Sequence, residues 1–316
     1  MKLLKLVPDN TNLDFMRWRN WALMLSLLVT IGSIVLIGVR GLNLGIDFVG
    51  GQQVRVNFAQ PVSIEQLRAR VATLGVGDAT IQEFGGGKGY VIRLPRPDGP
   101  EAAANAVVTK IRAFLPSAYP GAVVSAGESV SGKVSQELAK DGALAILFAM
   151  IGIAAYIWIR FEWQFGVGAL VTLFHDVVMT LGFFSLTQLP VDLNVVAAVL
   201  TIVGYSLNDT VVIYDRIREN LRKFRKMAIV PLLNQSLNET LSRTVVTSLA
   251  ILLALGALLV LGPDVIFGLT IAIFLGMFIG TFSSIYISAP MLVWLGVKPD
   301  SFLRHEDSDQ PQQQPA

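Results

Sequence analysis

The sequence has no cysteine, which excludes disulfides and thiolate metal sites without identifying a compartment. Histidine is nearly absent as well: His175 and His305 are the only two, too few for a multi-histidine metal site within the chain. Charge is scarce, at 15% of residues, and 25 basic against 23 acidic side chains leave a net charge of +2. Such a balance provides no basic footprint for nucleic acid. No phosphate-cradling Walker loop, zinc-ligand spacing or nucleophile–base pair is legible. Chemical catalysis is therefore disfavoured, and neither a metal nor a cofactor is expected.

What remains is 53% hydrophobic, and the apolar residues are segregated into long blocks, as in polytopic membrane proteins. Residues 1–20 are polar and basic and read as a cytoplasmic N-terminus. Trp18 and Trp21 flank the first apolar run, Trp21–Val39, as interfacial anchors do. Its length fits a full span better than a signal peptide. Five further spans are expected near Gly142–Ile159, Gly166–Leu186, Leu193–Tyr214, Val245–Leu261 and Val265–Leu295, the last exceeding one span and containing Pro290. The connectors at Thr187–Asp192 and Gly262–Asp264 lack Lys and Arg, whereas the one after the fourth span carries Arg216, Arg218, Arg222, Lys223, Arg225 and Lys226. The positive-inside rule then puts both termini in the cytoplasm. The tail, residues 296–316, ends in low-complexity HEDSDQPQQQPA and is expected to be disordered.

Residues 40–141 are different material: polar, rich in Gly and Pro, and patterned as a small exported domain. QVRVNF alternates in strand fashion, with Val54, Val56 and Phe58 on one face. Ser63 opens a helix that ends before Gly75. Thr80–Phe84 and Tyr90–Leu94 read as two strands joined through Gly85 to Gly89, a turn rather than a phosphate loop because no helix follows it. A helix over Glu101–Phe114 and a strand over Ala122–Ser125 complete the order βαββαβ, the split ferredoxin-like arrangement.

Two carboxylates interrupt the spans, and an ionised carboxylate in a bilayer is by default a functional-site hypothesis. Asp209 lies in the fourth span, within a stretch that runs from Val195 to Lys226 and turns charged at Asp215. At about 1.5 Å of rise per residue, Asp209 and Arg243 of the fifth span come to similar depth in the cytoplasmic third. A guanidinium favours an ionised carboxylate and desolvation favours a protonated one, so the pair could bind and release a proton. A static ion pair, or Arg243 snorkelling to the interface, is the plainer alternative. Asp176, beside His175 in the third span, reads equally as a relay or as packing. Adjacent positions diverge on a helix, so no His175–Asp176 dyad is expected. Tyr205, Ser206, Asn208 and Thr210 are polar groups within reach of Asp209 or of a neighbouring helix, and interhelical bonding is favoured for Tyr205 and Ser206. Gly276 and Gly280 permit close helix contact. The run from Asp215 reads as a solvated helix with internal pairs such as Glu219 with Lys223.

Two stretches carry a resemblance. GIDFVGG, comprising Gly45, Ile46, Asp47, Phe48, Val49, Gly50 and Gly51, resembles the signature near the start of the exported domain in the SecD/SecF family. GYSLNDTVVIYDRIREN, from Gly204 through Asp215 and Arg216 to Asn220, resembles the helix-four signature of the SecF branch. The resemblance covers nearly the whole chain and implies half of a resistance-nodulation-division unit: six transmembrane helices with one ferredoxin-like α+β domain between helices one and two. It further implies a bacterial inner-membrane protein completed by SecD, associated with the SecYEG channel and often YajC. Such a protein would use the proton-motive force to promote late translocation and release of an unfolded polypeptide. The family's relay positions fall on Asp209 and Arg243, with Asp176, Asn208 and Thr210 as second-tier relay or packing residues. Membrane lipid and protons complete the expected partners. Asp47 and its glycines are expected to shape the junction between helix and domain. Two other readings stay open: a proton-driven half-exporter of lipids or small molecules, and a passive translocon scaffold.

Overall fold

A computed structural model describes residues 8, 11–76, 79–84, 87–94, 101–125 and 127–297. Most of the C-terminal tail with His305, and Gly85 and Gly86 of the expected hairpin turn, lie outside the described residues. The chain divides into two units, Met1–Asn43 with Ala145–Ala316, and Leu44–Leu144. The first helix, α1, runs Arg19–Arg40 behind a 3-10 turn at Phe15–Trp18 and stops at Gly41, whose φ of 73° leaves the helical region.

In the second unit Ile46–Val49 forms a single turn, α2. Gly50 and Gly51 follow with φ of 75° and 117°, conformations open to glycine but strained for other residues. Space restricts Gly50 as well, because a Cβ there would sit 3.3 Å from Gly132 Cα. This pair turns the chain into strand β1, Gly51–Asn57. Then come α3 (Ile64–Ala72), β2 (Thr80–Phe84), β3 (Gly89–Leu94), α4 (Glu101–Ala118), β4 (Val123–Val124) and β5 (Glu128–Val130). The sheet is antiparallel in the order β2-β3-β1-β4, and β1 pairs Val54 with Ile92 on one side and Val56 with Val124 on the other. That is the ferredoxin-like order, with β1 central.

Alternation places Val54 and Val56 of β1, with Tyr90 and Ile92 of β3, in one core. Leu67 and Val71 of α3, and Ile111 and Leu115 of α4, meet it as i, i+4 pairs, and all of these side chains are buried. Each buried aliphatic side chain contributes about 1.5–3 kcal/mol. The strand at Glu128–Val130 is an addition to the expected order; it pairs with Gly51–Gln53, extending the edge of β1 that β4 begins.

The remaining helices are α5 (Gly132–Arg160), α6 (Trp163–Thr187), α7 (Leu193–Lys223), α8 (Ile229–Leu261) and α9 (Phe267–Ser283). A π-helical turn at Ser284–Ser288 then leads into α10 (Ala289–Trp294). With α1, and with α9 and α10 taken as one, six helices among the described residues are long and apolar enough to cross a membrane. Three of them are longer than the apolar runs that mark them. The helix α5 begins at Gly132, α8 begins at Ile229, and α7 continues through the charged run to Lys223. Hydropathy reports the part of a helix suited to hydrocarbon, whereas helix ends are set by capping and breakers. At α7 the start is fixed by Asp192, whose side chain accepts from Val195 N at 3.1 Å.

The helices differ in burial. In α6, α7 and the last helix, 56%, 44% and 50% of the most apolar window is buried, against 11%, 6% and 11% in α1, α5 and α8. An inner trio thus stands apart from three less buried helices, of which α1 packs on α6 and α8 on α7 and α9. The Gly276–Gly280 stripe lets α9 approach α7 closely: a Cβ on Gly276 would meet Ile202 side-chain atoms at 2.3–2.8 Å, and one on Gly280 would lie 3.3 Å from Ser206 Cβ.

Candidate functional site

The polar centre of the inner trio is Asp176, on α6 and wholly buried. Its Oδ2 accepts from Ser206 Oγ of α7 at 2.5 Å and from Ser283 Oγ of α9 at 2.9 Å. Its Oδ1 lies 2.9 Å from Nδ1 of His175. The expectation that His175 and Asp176 diverge is therefore wrong. Adjacent Cβ atoms sit about 100° apart on a helix, but a carboxylate and an imidazole are long enough to bend toward one another across that angle. His175 is itself buried, and its Nε2 has no hydrogen-bond partner among the described residues. Three helices thus converge on one carboxylate, with both oxygens engaged.

Asp209 lies on α7 one turn beyond Ser206 and is 4% exposed. Its environment is the opposite: Oδ2 is buried without a hydrogen-bond partner among the described residues. From α8, Thr244 faces it, and the Arg243 charge lies near enough to act on the carboxyl. Thr244 is buried, and its Oγ1 approaches the Asp209 carboxyl without a hydrogen bond of good geometry among the described residues. Arg243 is exposed, and no ion pair within 4.0 Å joins it to Asp209 among the described residues. The helices do bring opposite charges to one level, but not into contact. Depth along a helix follows from counting residues; direction around it does not, and Thr244 rather than Arg243 takes the inward position.

The second-tier residues separate. Thr210 is buried with an unpartnered Oγ1, whereas Asn208 and Gly204 are exposed on the other side of α7. Among the described residues Tyr205 makes no interhelical bond through its hydroxyl, which is buried and unpartnered; Ser206 does make one. Nearer the end of α7, Arg216 pairs with Glu239 of α8 at 2.6 Å and with Glu219 at 2.7 Å, so Glu219 turns to Arg216 rather than to Lys223. Asn220 is buried there and donates to Ser236 Oγ at 3.0 Å and to Glu239 Oε2 at 2.7 Å. Asp215 pairs with Arg160 at 3.2 Å. The α7–α8 hairpin is therefore fastened at its charged end and unfastened at Asp209. Of the other signature residues, Gly45 and Ile46 are buried, and Asp47 and Phe48 occupy the single turn of α2.

Sequence reasoning missed Ser283, Thr244, Asn220 and Glu239. Ser283 could have been found, because it lies three residues after Gly280, on the face that the glycine stripe defines.

Comparison with known proteins covers nearly the whole chain. Residues 111–298 match the family described as protein export membrane protein SecD/SecF, C-terminal, and residues 35–62 match the SecD/SecF GG motif. The protein translocase subunit SecF of Rickettsia conorii is 41% identical over 290 residues, covering 92% of this chain and 94% of that protein. SecF of Rhodobacter capsulatus is 42% identical over 307 residues, covering 93% and 92%. Among solved structures, SecDF from Thermus thermophilus, described as a translocon-associated membrane protein, superposes with a TM-score of 0.82 at 33% identity. That match covers 90% of this chain and 39% of the longer SecDF chain. A super-membrane-facing form of SecDF gives a TM-score of 0.66 at 34% identity, covering 95% of this chain and 40% of that one. The six apolar helices, the sheet unit between the first two of them, both signature motifs and this whole-length likeness lead to one conclusion: the chain is a multi-pass membrane protein that belongs to the SecD/SecF family, on its SecF branch.

Proposed function

We propose that this chain is the SecF-type half of a SecD–SecF unit in a bacterial inner membrane. The unit would use the proton-motive force to promote late translocation of an unfolded polypeptide through SecYEG, and its release, without chemical catalysis. Both termini would face the cytoplasm and the sheet unit the exterior, as the distribution of Lys and Arg suggests. Asp209 is the group that takes up a proton from the outer side and yields it inward. Each charge crossing is worth about 2.3 kcal/mol per 100 mV. The observation that carries this reading is the buried Asp209 carboxyl with one oxygen unpartnered among the described residues, near a cation it does not touch. A carboxyl engaged only in packing would be expected to have its hydrogen bonds made, as those of Asp176 are.

Asp176 then serves as the fixed point against which α7 moves, and Arg243 as the charge that closes on Asp209 when it ionises. The test is secretion of a reporter in cells whose only copy carries Asp209→Asn, with membrane abundance of the chain and of SecD measured alongside. Asn preserves size and polarity but cannot titrate. Secretion lost at normal abundance is the expected result. Secretion retained would remove Asp209 as an obligatory proton carrier and favour the scaffold reading.

A further inference from the structure

A shallow cleft of about 460 Å³ opens where the end of α5 meets the charged end of α7, lined by Arg160, Asp215, Arg218, Glu219, Arg222 and Lys223. The charges around it do not cancel. Asp215 is taken by Arg160, and Glu219 by Arg216 outside the cleft. Arg218 is matched by Glu162 at 3.8 Å. Arg222 and Lys223 have no carboxylate within 4.0 Å among the described residues; Lys223 lies over the Phe224 ring, its Nζ 5.1 Å from the centroid. Two positive charges are therefore left over in a concave site.

The wall behind them is built rather than incidental. Two guanidinium groups lie over the Phe161 ring, Arg160 at 5.2 Å and Arg218 at 6.0 Å from its centroid. Arg218 also donates to the Arg160 carbonyl at 3.3 Å, satisfying one of the last carbonyls of α5. Next to this charged wall the surface changes character. Trp158, Ile159 and Trp163 are 65%, 89% and 52% exposed, large apolar groups flanking Arg160 on the outer helix and the start of α6. Exposed tryptophans beside basic residues are the arrangement expected where a helix crosses the headgroup level of a bilayer.

We propose that this cleft binds the phosphate headgroup of an anionic phospholipid, with the acyl chains lying along Trp158, Ile159 and Trp163. Arg222 and Lys223 supply the uncompensated charge and Arg218 the preorganised edge. The combination of a charged cleft with an apolar flank selects a lipid over a free anion, which would have no use for the flank. The inference requires that the bundle cross a membrane; it does not depend on the proton role of Asp209.

The test uses the full chain purified in detergent and native mass spectrometry after incubation with phosphatidylglycerol or with phosphatidylcholine of the same acyl chains. The wild type should retain phosphatidylglycerol preferentially. Arg222→Gln/Lys223→Gln should weaken that retention by roughly tenfold to thirtyfold, taking each basic residue near an anionic lipid at its usual contribution. Arg225→Gln/Lys226→Gln removes the same charge outside the cleft and should leave retention unchanged. Equal retention of the two lipids, or equal loss in both double variants, would overturn the assignment. So would displacement of the lipid by millimolar inorganic phosphate, which would make the site one for a free anion. Unchanged lipid binding with loss of co-purifying SecD from the Arg222→Gln/Lys223→Gln variant would make the cleft a protein contact and equally end the lipid reading.

Discussion

Asp176 of α6 and Asp209 of α7, which lies a turn from the serine that bonds Asp176, are chemically identical, yet their surroundings are opposed. Both carboxylate oxygens of Asp176 are engaged: two serine hydroxyls and an imidazole converge on it from α6, α7 and α9. Around Asp209 demands are left open: among the described residues a carboxylate oxygen, the Thr210 hydroxyl and the Thr244 hydroxyl are buried without a hydrogen bond of good geometry. A filled set of hydrogen bonds holds helices in one arrangement. An unfilled set costs stability and persists where a second arrangement, or a proton, can fill it. The two regions divide the work of a moving bundle between an anchor and a working group.

That division can be broken experimentally, and the largest effect should come from the working group. Asp209→Asn should reduce reporter secretion to the level of cells lacking the chain while leaving the thermal midpoint of the purified protein nearly unchanged. An equal fall in both would make Asp209 a packing residue like its neighbour. Next in size, Asp176→Ala removes the acceptor of two hydroxyls and should destabilise the chain by about 2–3 kcal/mol. Thermal denaturation in detergent should show the loss, and lower abundance rather than altered coupling should account for any secretion defect. Ser206→Ala and Ser283→Ala each delete one bond to Asp176 and should cost about 0.5–1.5 kcal/mol in the same assay. Smallest of all is Thr244→Val: the hydroxyl it removes is buried but unbonded, so stability should change by less than about 0.5 kcal/mol or rise slightly. A cost for Thr244→Val as large as that for Ser206→Ala would mean that the Asp209 region is bonded after all, and the contrast would fail.

Much of this architecture can be read from the residues. Six apolar runs, and strands marked by alternation at Val54, Val56 and Phe58, suffice for the bundle and for the sheet inserted in it. The short strand at Glu128–Val130 escapes because three residues carry no period, and its existence depends on pairing with Gly51–Gln53, distant in sequence. Helix starts at Gly132 and Ile229 escape because a polar stretch, GKVSQELAKD in one and NQSLNETLSRT in the other, lies between the helix start and the apolar run.

At the site, the identity of the important carboxylates is legible because charge in hydrocarbon is conspicuous. Their partners are less so. Counting residues brings Arg243 to the depth of Asp209, but a shift of one position, about 100° around α8, decides that Thr244 faces inward. The same angle led to the expectation that His175 turns away from Asp176; there, side-chain reach overrides it. Serines such as Ser206 and Ser283 gain their roles only when three helices are assembled, since a serine in a helix carries no mark of which neighbour it will meet.

The π-helical turn at Ser284–Ser288 bears on how the last span is handled. Such a turn accommodates one residue more than an α-turn, so the segment after it is rotated by about 100° from where an unbroken helix would put it. It comes just before Pro290, which has no N–H to offer the preceding turn. One helical wheel cannot describe this span: Gly276, Gly280 and Ser283 belong to one register, and Pro290 and Leu292 to another. A spin label or cross-linker sited beyond residue 288 by extrapolating the glycine stripe would report on the wrong neighbour.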